Sequence, residues 1–169
     1  MKKSVVLALC ALFSLPLIVV PPAARASGSQ ASGNGAAFKD AAGKEWVLSE
    51  LRTGGKTVKI DRKKLEADSM GGFFTLNFKG DASVYDGQAS GVAAPNRYFG
   101  PYTAADDGAL KFGNMASTMM MAFKEPEDLN ERGYFDYLSK VTRWELRDGK
   151  LELQSSSGTT TTVLVFVTN

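Results

Sequence analysis

The last thirty residues constrain the fold more than any other stretch. Thr142, Trp144 and Leu146 alternate with Arg143, Glu145 and Arg147, Asp148-Gly149 follows, and Leu151 and Leu153 then alternate with Lys150, Glu152 and Gln154. Side chains of period two on either side of an Asp-Gly pair specify an antiparallel hairpin, because those two residues accept the positive φ of the tight turn. Ser155 to Gly158 leads into Thr159 to Val167, which is apolar on both faces beyond Thr162. That is the pattern of a strand with cover on both sides.

Upstream, short strands separated by turn residues continue the theme. Trp46 to Arg52 reads as a first strand with Trp46 and Leu48 on one face, and Thr53-Gly54-Gly55 turns it into Lys56 to Asp61. Arg62 to Ser69 is polar enough for a helical turn around Leu65. Phe74, Leu76 and Phe78 then share a face at strand period, and Lys79-Gly80-Asp81 reads as a hairpin turn into Ala82 to Asp86. A Gly/Ala-rich link precedes Asn96 to Thr103, and Asp106-Asp107-Gly108 turns the chain into Ala109 to Phe112. Ala116 to Phe123 is apolar and extended.

Glu125 to Lys140 reads as the one helix. Pro126 suits its first position, Glu127 and Asp128 its positive end, and Leu129, Tyr134, Leu138 and Val141 its apolar stripe, with Phe135 alongside. The expected fold is α+β but mainly β, an antiparallel barrel-like or cracked-barrel sheet of about seven or eight strands with one packed helix near 126–140. No internal repeat is visible.

The N-terminus reads as an export signal. Lys2 and Lys3 precede an apolar run from Val5 to Val20, Pro21-Pro22 breaks any helix, and Ala24-Arg25-Ala26 is a small-x-small cleavage site. The apolar run is shorter than the roughly 20 residues of a membrane span and contains Pro16. Cys10 follows Leu9 too early in the run for a lipid acceptor, so it is read as an apolar member of the signal. The expected organisation is a signal over 1–26, a flexible Gly/Ser/Ala-rich leader over 27–43 and a domain over 44–169, in a periplasmic or secreted protein with no integral span after cleavage.

Removing residues 1–26 alters the composition. The precursor has 20 Lys+Arg and 18 Asp+Glu; Lys2, Lys3 and Arg25 leave, so 17 basic residues face 18 acidic ones, a formal charge of −1. Near-neutrality argues against nucleic acid as a partner. The mature chain would hold neither histidine nor cysteine. That excludes disulfides, Ser-His-Asp and Cys-His nucleophiles and the common zinc sites, and no cofactor or metal is expected.

Asn96-Arg97-Tyr98-Phe99-Gly100-x-Tyr102-Thr103, followed by a Gly-containing turn and a short strand, resembles the META domain, also called HslJ-like. Ala116-Ser117-Thr118-Met119-Met120-Met121 fits its small-Ser/Thr-x-Met segment, and the helix, "VTRWEL…GKLEL" and the opening "WVLSEL" follow its order. The resemblance spans roughly Lys44 to Val167. It implies a small exported or envelope protein of antiparallel barrel-like fold, in a family linked to heat shock, antibiotic tolerance or virulence, with no established enzymatic activity. The family's two usual cysteines are replaced here by Ala94-Pro95 and Ala122-Phe123. A function resting on that thiol pair is therefore in doubt.

The family-motif residues Asn96, Arg97, Tyr98, Phe99, Gly100, Tyr102, Thr118 and Met120 are open to two readings. One is a recognition loop in which Arg97, Tyr98, Phe99 and Tyr102 bring donors and aromatic surface together. The other is architectural: Asn96 satisfies a turn, Gly100 takes a special backbone angle, and the aromatics fill the barrel end. Met115, Met119, Met120 and Met121 invite a copper(I) reading, but alternation in an extended segment sends them to opposite faces, and gap-filling core methionines are the expectation. The Asp106-Asp107-Gly108 turn lacks the further oxygen ligands of a calcium site. Glu125, Glu127 and Asp128 are the nearest thing to paired catalytic carboxylates, and a helix start accounts for them. The expected function is a non-enzymatic, monomeric binding or envelope-maintenance protein for an unknown small ligand or envelope protein. The alternatives are a carrier of an apolar or lipid-like ligand in the barrel, with Phe74 and Trp144 lining a cavity, and a histidine-independent hydrolase.

Overall fold

The computed structural model describes residues 37–61, 63, 74–79, 86–93, 95–121 and 129–168. The proposed signal, most of the leader, the Arg62–Ser69 turn, the Lys79-Gly80-Asp81 hairpin turn and Glu125, Glu127 and Asp128 lie wholly or in part outside those residues.

Ten antiparallel strands form one sheet: β1 Glu45–Thr53, β2 Lys56–Lys59, β3 Thr75–Lys79, β4 Asp86–Ala93, β5 Asn96–Ala104, β6 Leu110–Phe112, β7 Ala116–Ser117, β8 Val141–Arg147, β9 Lys150–Ser157 and β10 Thr160–Thr168. Eight of them run in the order β6-β5-β4-β3-β1-β10-β9-β8, with β2 on β1 and β7 on β5. The two ends of that path meet through an Ala109–Arg143 bridge. There the Trp144 N–H donates to the Gly108 carbonyl (2.8 Å) and the Trp144 indole to the Ala105 carbonyl (2.9 Å). The result is a nearly closed barrel-like sheet, which removes most of the exposed edge an open sheet would present.

The C-terminal hairpins follow the sequence pattern. Asp148 and Gly149 both have positive φ (52° and 73°), as a two-residue I′ turn requires. β10, apolar on both faces, lies between β1 and β9. In β8 the simple alternation fails. A bulge between Val141 and Arg143 leaves Thr142 exposed while Val141 and Trp144 are buried.

Three further expectations are corrected. The Gly/Ala-rich link is strand β4, paired with β5 from Asp86↔Thr103 to Ala93↔Asn96. Its glycines serve packing: Gly91 faces Tyr98 and Gly87 faces Tyr102, and a Cβ at Gly91 would overlap the Thr75 carbonyl and the Tyr98 ring. The helix, α1, spans Glu131–Ser139 rather than beginning at Pro126, because Asn130 caps it by accepting the Gly133 N–H (2.8 Å). Tyr134 and Leu138 are its buried residues, and Leu129 is buried just ahead of it.

The domain also starts before Lys44. Phe38, in a 3-10 turn over Phe38–Asp40, is 3% exposed and packs against the rings of Phe78 (5.0 Å), Trp144 (5.1 Å) and Tyr102 (5.5 Å). Residues 37–43, placed in the leader on composition, are thus part of the domain.

Candidate functional site

Strand geometry divides the motif strand into two halves. β5 alternates strictly: Asn96, Tyr98, Gly100 and Tyr102 are buried, and Arg97, Phe99, Pro101 and Thr103 are exposed. The motif is a strand rather than a loop, and the architectural and recognition readings each describe one face of it.

The inward half is fully engaged. Asn96 Oδ1 accepts from the Met120 N–H (2.6 Å) and the Thr118 hydroxyl (2.9 Å), while Nδ2 donates to Glu131 Oε2 (2.6 Å) and the Met120 carbonyl (3.2 Å). All four hydrogen-bonding positions of the amide are used. Thr118 Oγ1 also accepts from the Arg97 N–H (3.1 Å), and the Thr118 N–H donates to the Arg97 carbonyl (3.0 Å). Asn96 and Thr118 therefore fasten the methionine segment and the start of α1 to the barrel. Tyr98 donates to the Thr75 carbonyl (2.7 Å) and lies 3.0 Å from the Tyr134 hydroxyl. Burial pushes both phenols well above the usual tyrosine range. Tyr102 stacks edge-on against Phe78 at 4.9 Å, and burial, aided by the nearby Asp86 charge, raises its phenol too. Gly100 does not have a positive φ. Its side is closed by Met115 Sδ and the Asn114 carbonyl, so space rather than backbone angle accounts for it.

Core-filling methionine holds only for Met115, which is half-buried against the core. Met119 and Met121 are 98% and 91% exposed, and Met120 is 56% exposed although its backbone is held by Asn96. β7 ends at Ser117, so the extended pairing stops before the first of these three methionines.

The outward half of β5 borders a groove of about 610 Å³ across β1, β3, β4 and β5. The strand register fixes its layout. Glu45, Asn77, Ser90 and Phe99 form one row through the pairs Glu45↔Asn77, Asn77↔Ser90 and Ser90↔Phe99. Lys79↔Gln88 lies on one side of that row, and Val92↔Arg97 on the other. Phe99 is 53% exposed. Composition and motif reading identified Arg97 and Phe99 but missed the groove residues of β1, β3 and β4. The alternation of Asn77 and Lys79 with Leu76 and Phe78 carried part of that signal; for β4, read as a link, there was none.

A second groove, of about 510 Å³, lies at the barrel seam between Thr103–Lys111 and Ser139–Thr142. Neither groove includes Phe74 or Trp144. Those two rings are packed against Tyr134 (5.0 Å) and Phe38 (5.1 Å). The Asp106 and Asp107 carboxylates accept from the Phe38 N–H (2.8 Å) and the Ala109 N–H (2.9 Å), which gives that turn a structural role. Among the described residues, no helix is long and apolar enough to cross a membrane.

A small, nearly closed antiparallel barrel that packs one helix against the inner face of an Asn-x-Tyr-x-Gly-x-Tyr strand defines the architectural class. The chain belongs to the META domain family, whose model matches residues 39–167. It is similar to a protein from Burkholderia xenovorans solved by NMR, with a TM-score of 0.59 and 22% identity over 78% of this chain and 86% of that one. That likeness concerns the fold. No curated protein matches the chain.

Proposed function

We propose that this chain is an exported, non-enzymatic META-domain binding protein whose recognition face is the outer groove bordered by Arg97 and Phe99. One observation carries the reading. Burial and hydrogen bonding consume the inward half of the motif, while an aromatic ring and a guanidinium stand exposed on its other side, over a polar groove. Exposed aromatic and arginine side chains beside a concavity are the usual anchors of recognition. Export is supported by the tripartite N-terminus, and a role without catalysis by the absence of histidine. A periplasmic or extracellular binding or envelope-maintenance role accords with both.

Native mass spectrometry of the protein taken from its envelope fraction tests the proposal. The expected mass begins at Ser27, and a co-purifying ligand is expected to be lost from the double variant Arg97→Ala, Phe99→Ala. A mass retaining residues 1–26 would overturn export. A ligand kept in full by that variant would overturn the assigned face.

A further inference from the structure

We infer that the ligand of this groove is an acidic oligosaccharide, a glycan segment of two or three rings carrying a carboxylate; the inference rests on the recognition face proposed above. Three features of the groove select this class. The first is a flat apolar platform. Phe99 offers an exposed ring at one end of its row, of the kind on which the C–H face of a pyranose can lie.

The second is a set of polar side chains beside it that no described residue engages. Asn77, Gln88 and Ser90 come from two adjacent strands, line the groove, and have no side-chain hydrogen bond to any described residue. Contrast Asn96, whose amide is saturated. Two amides and a hydroxyl supply both donors and acceptors, which matches vicinal hydroxyls, each of them donor and acceptor at once. A purely anionic ligand such as phosphate would use only the donors.

The third feature is charge. Lys79 and Arg97 stand at diagonally opposite corners of the groove, and Glu45 closes the far end of the Phe99 row. None of the three forms an ion pair with a described residue, whereas Arg52, Lys140 and Arg147 all do. Two separated cations with one anion fit a mostly neutral ligand with an isolated carboxylate, which Arg97 can take in two-point fashion. They fit a nucleic acid strand poorly, since its evenly spaced phosphates would meet Glu45. The footprint agrees. Four strands about 4.8 Å apart and the run from Gln88 to Val92 of about 13 Å give a patch roughly 14 by 13 Å, room for two or three sugar rings.

The test is a titration of the ¹⁵N-labelled protein, followed by amide shifts, with four probes. These are trigalacturonate, galactotriose, an N-acetylmuramate-containing disaccharide and a twelve-residue oligothymidylate. The expected result is saturable shifts at Asn77, Gln88, Ser90, Arg97 and Phe99 with one or both acidic sugars, at least tenfold weaker binding of galactotriose, and none of oligothymidylate. The uronate and muramate arms distinguish an extracellular polysaccharide from cell-wall glycan as the source. Arg97→Gln is expected to bring the acidic sugar down to the neutral one, and Phe99→Ala to weaken both, with the rest of the spectrum unchanged. Equal affinity for galactotriose, or tighter binding of the oligonucleotide at the same residues, overturns the acidic-sugar assignment and supports the face. Shifts confined to other residues overturn both. No shift with any probe overturns the sugar assignment, and the native mass measurement then decides the face independently.

Discussion

The hydroxyls of Tyr98 and Tyr134 lie 3.0 Å apart and both reach the Thr75 carbonyl, at 2.7 and 3.4 Å. One backbone oxygen of β3 thus joins the motif strand to α1 in the buried centre of the domain. An ionised phenol in that cluster would be stranded without water, which is why burial raises both pKa values.

Stability at high pH follows from that shift. Unfolded tyrosine titrates near pH 10, so above about pH 10 the unfolded chain has lost protons that the folded chain keeps. The stabilisation is complete below pH 10 and is lost as the pH climbs from there through the folded values. Each such group adds up to about 1.4 kcal/mol per pH unit to the decline. Urea midpoints at pH 9, 10 and 11 should fall progressively, and less steeply in Tyr134→Phe, where Tyr98 still donates to Thr75. A flat profile would contradict the buried pair.

Asn96 is expected to be the most sensitive polar position. Asn96→Ala leaves the Met120 N–H and the Glu131 carboxylate without their partner, at a cost of about 2–4 kcal/mol in denaturant unfolding. Asn96→Asp should cost more, because it sets a carboxylate against Glu131 and the Met120 carbonyl.

Phe38 reports on where the domain begins. Phe38→Ala should destabilise by about 3–4 kcal/mol, the range for an aromatic removed from a core. A chain shortened to start at Lys44 should be less stable still, since it also loses the Ala41 carbonyl that accepts from the Trp46 indole. Thermal unfolding of the two variants beside the parent checks both statements.

Gly91→Ala should cost on the order of 2 kcal/mol, because the added methyl must displace strand backbone rather than a flexible side chain. Phe99→Ser, on the opposite face of the same strand pair, should stay within about 0.5 kcal/mol of the parent. Equal stabilities of the two variants would mean that the inward and outward faces are assigned wrongly.

Much of the fold was legible in short-range pattern. Asp148-Gly149, the alternation through Leu151 and Leu153, and the apolar run to Val167 place three strands correctly, because period and turn chemistry are local properties. β4 was not legible: glycine and alanine lack the side chains that announce a strand, and only the rings of Tyr98 and Tyr102 across from Gly91 and Gly87 explain them. The start of α1 was missed because Asn130 was not read as its cap, although its side chain accepts the Gly133 N–H three residues on.

The groove shows the same division. Period two by itself decides that Arg97 and Phe99 face away from Asn96 and Tyr98, and residue count alone excludes histidine chemistry. Which face is buried, and which residues of other strands share the outer one, depends on pairing between segments up to 32 positions apart in sequence, as Glu45 and Asn77 are. Pairing of that range is set by closure of the whole sheet around its core, a free-energy balance that no local window contains.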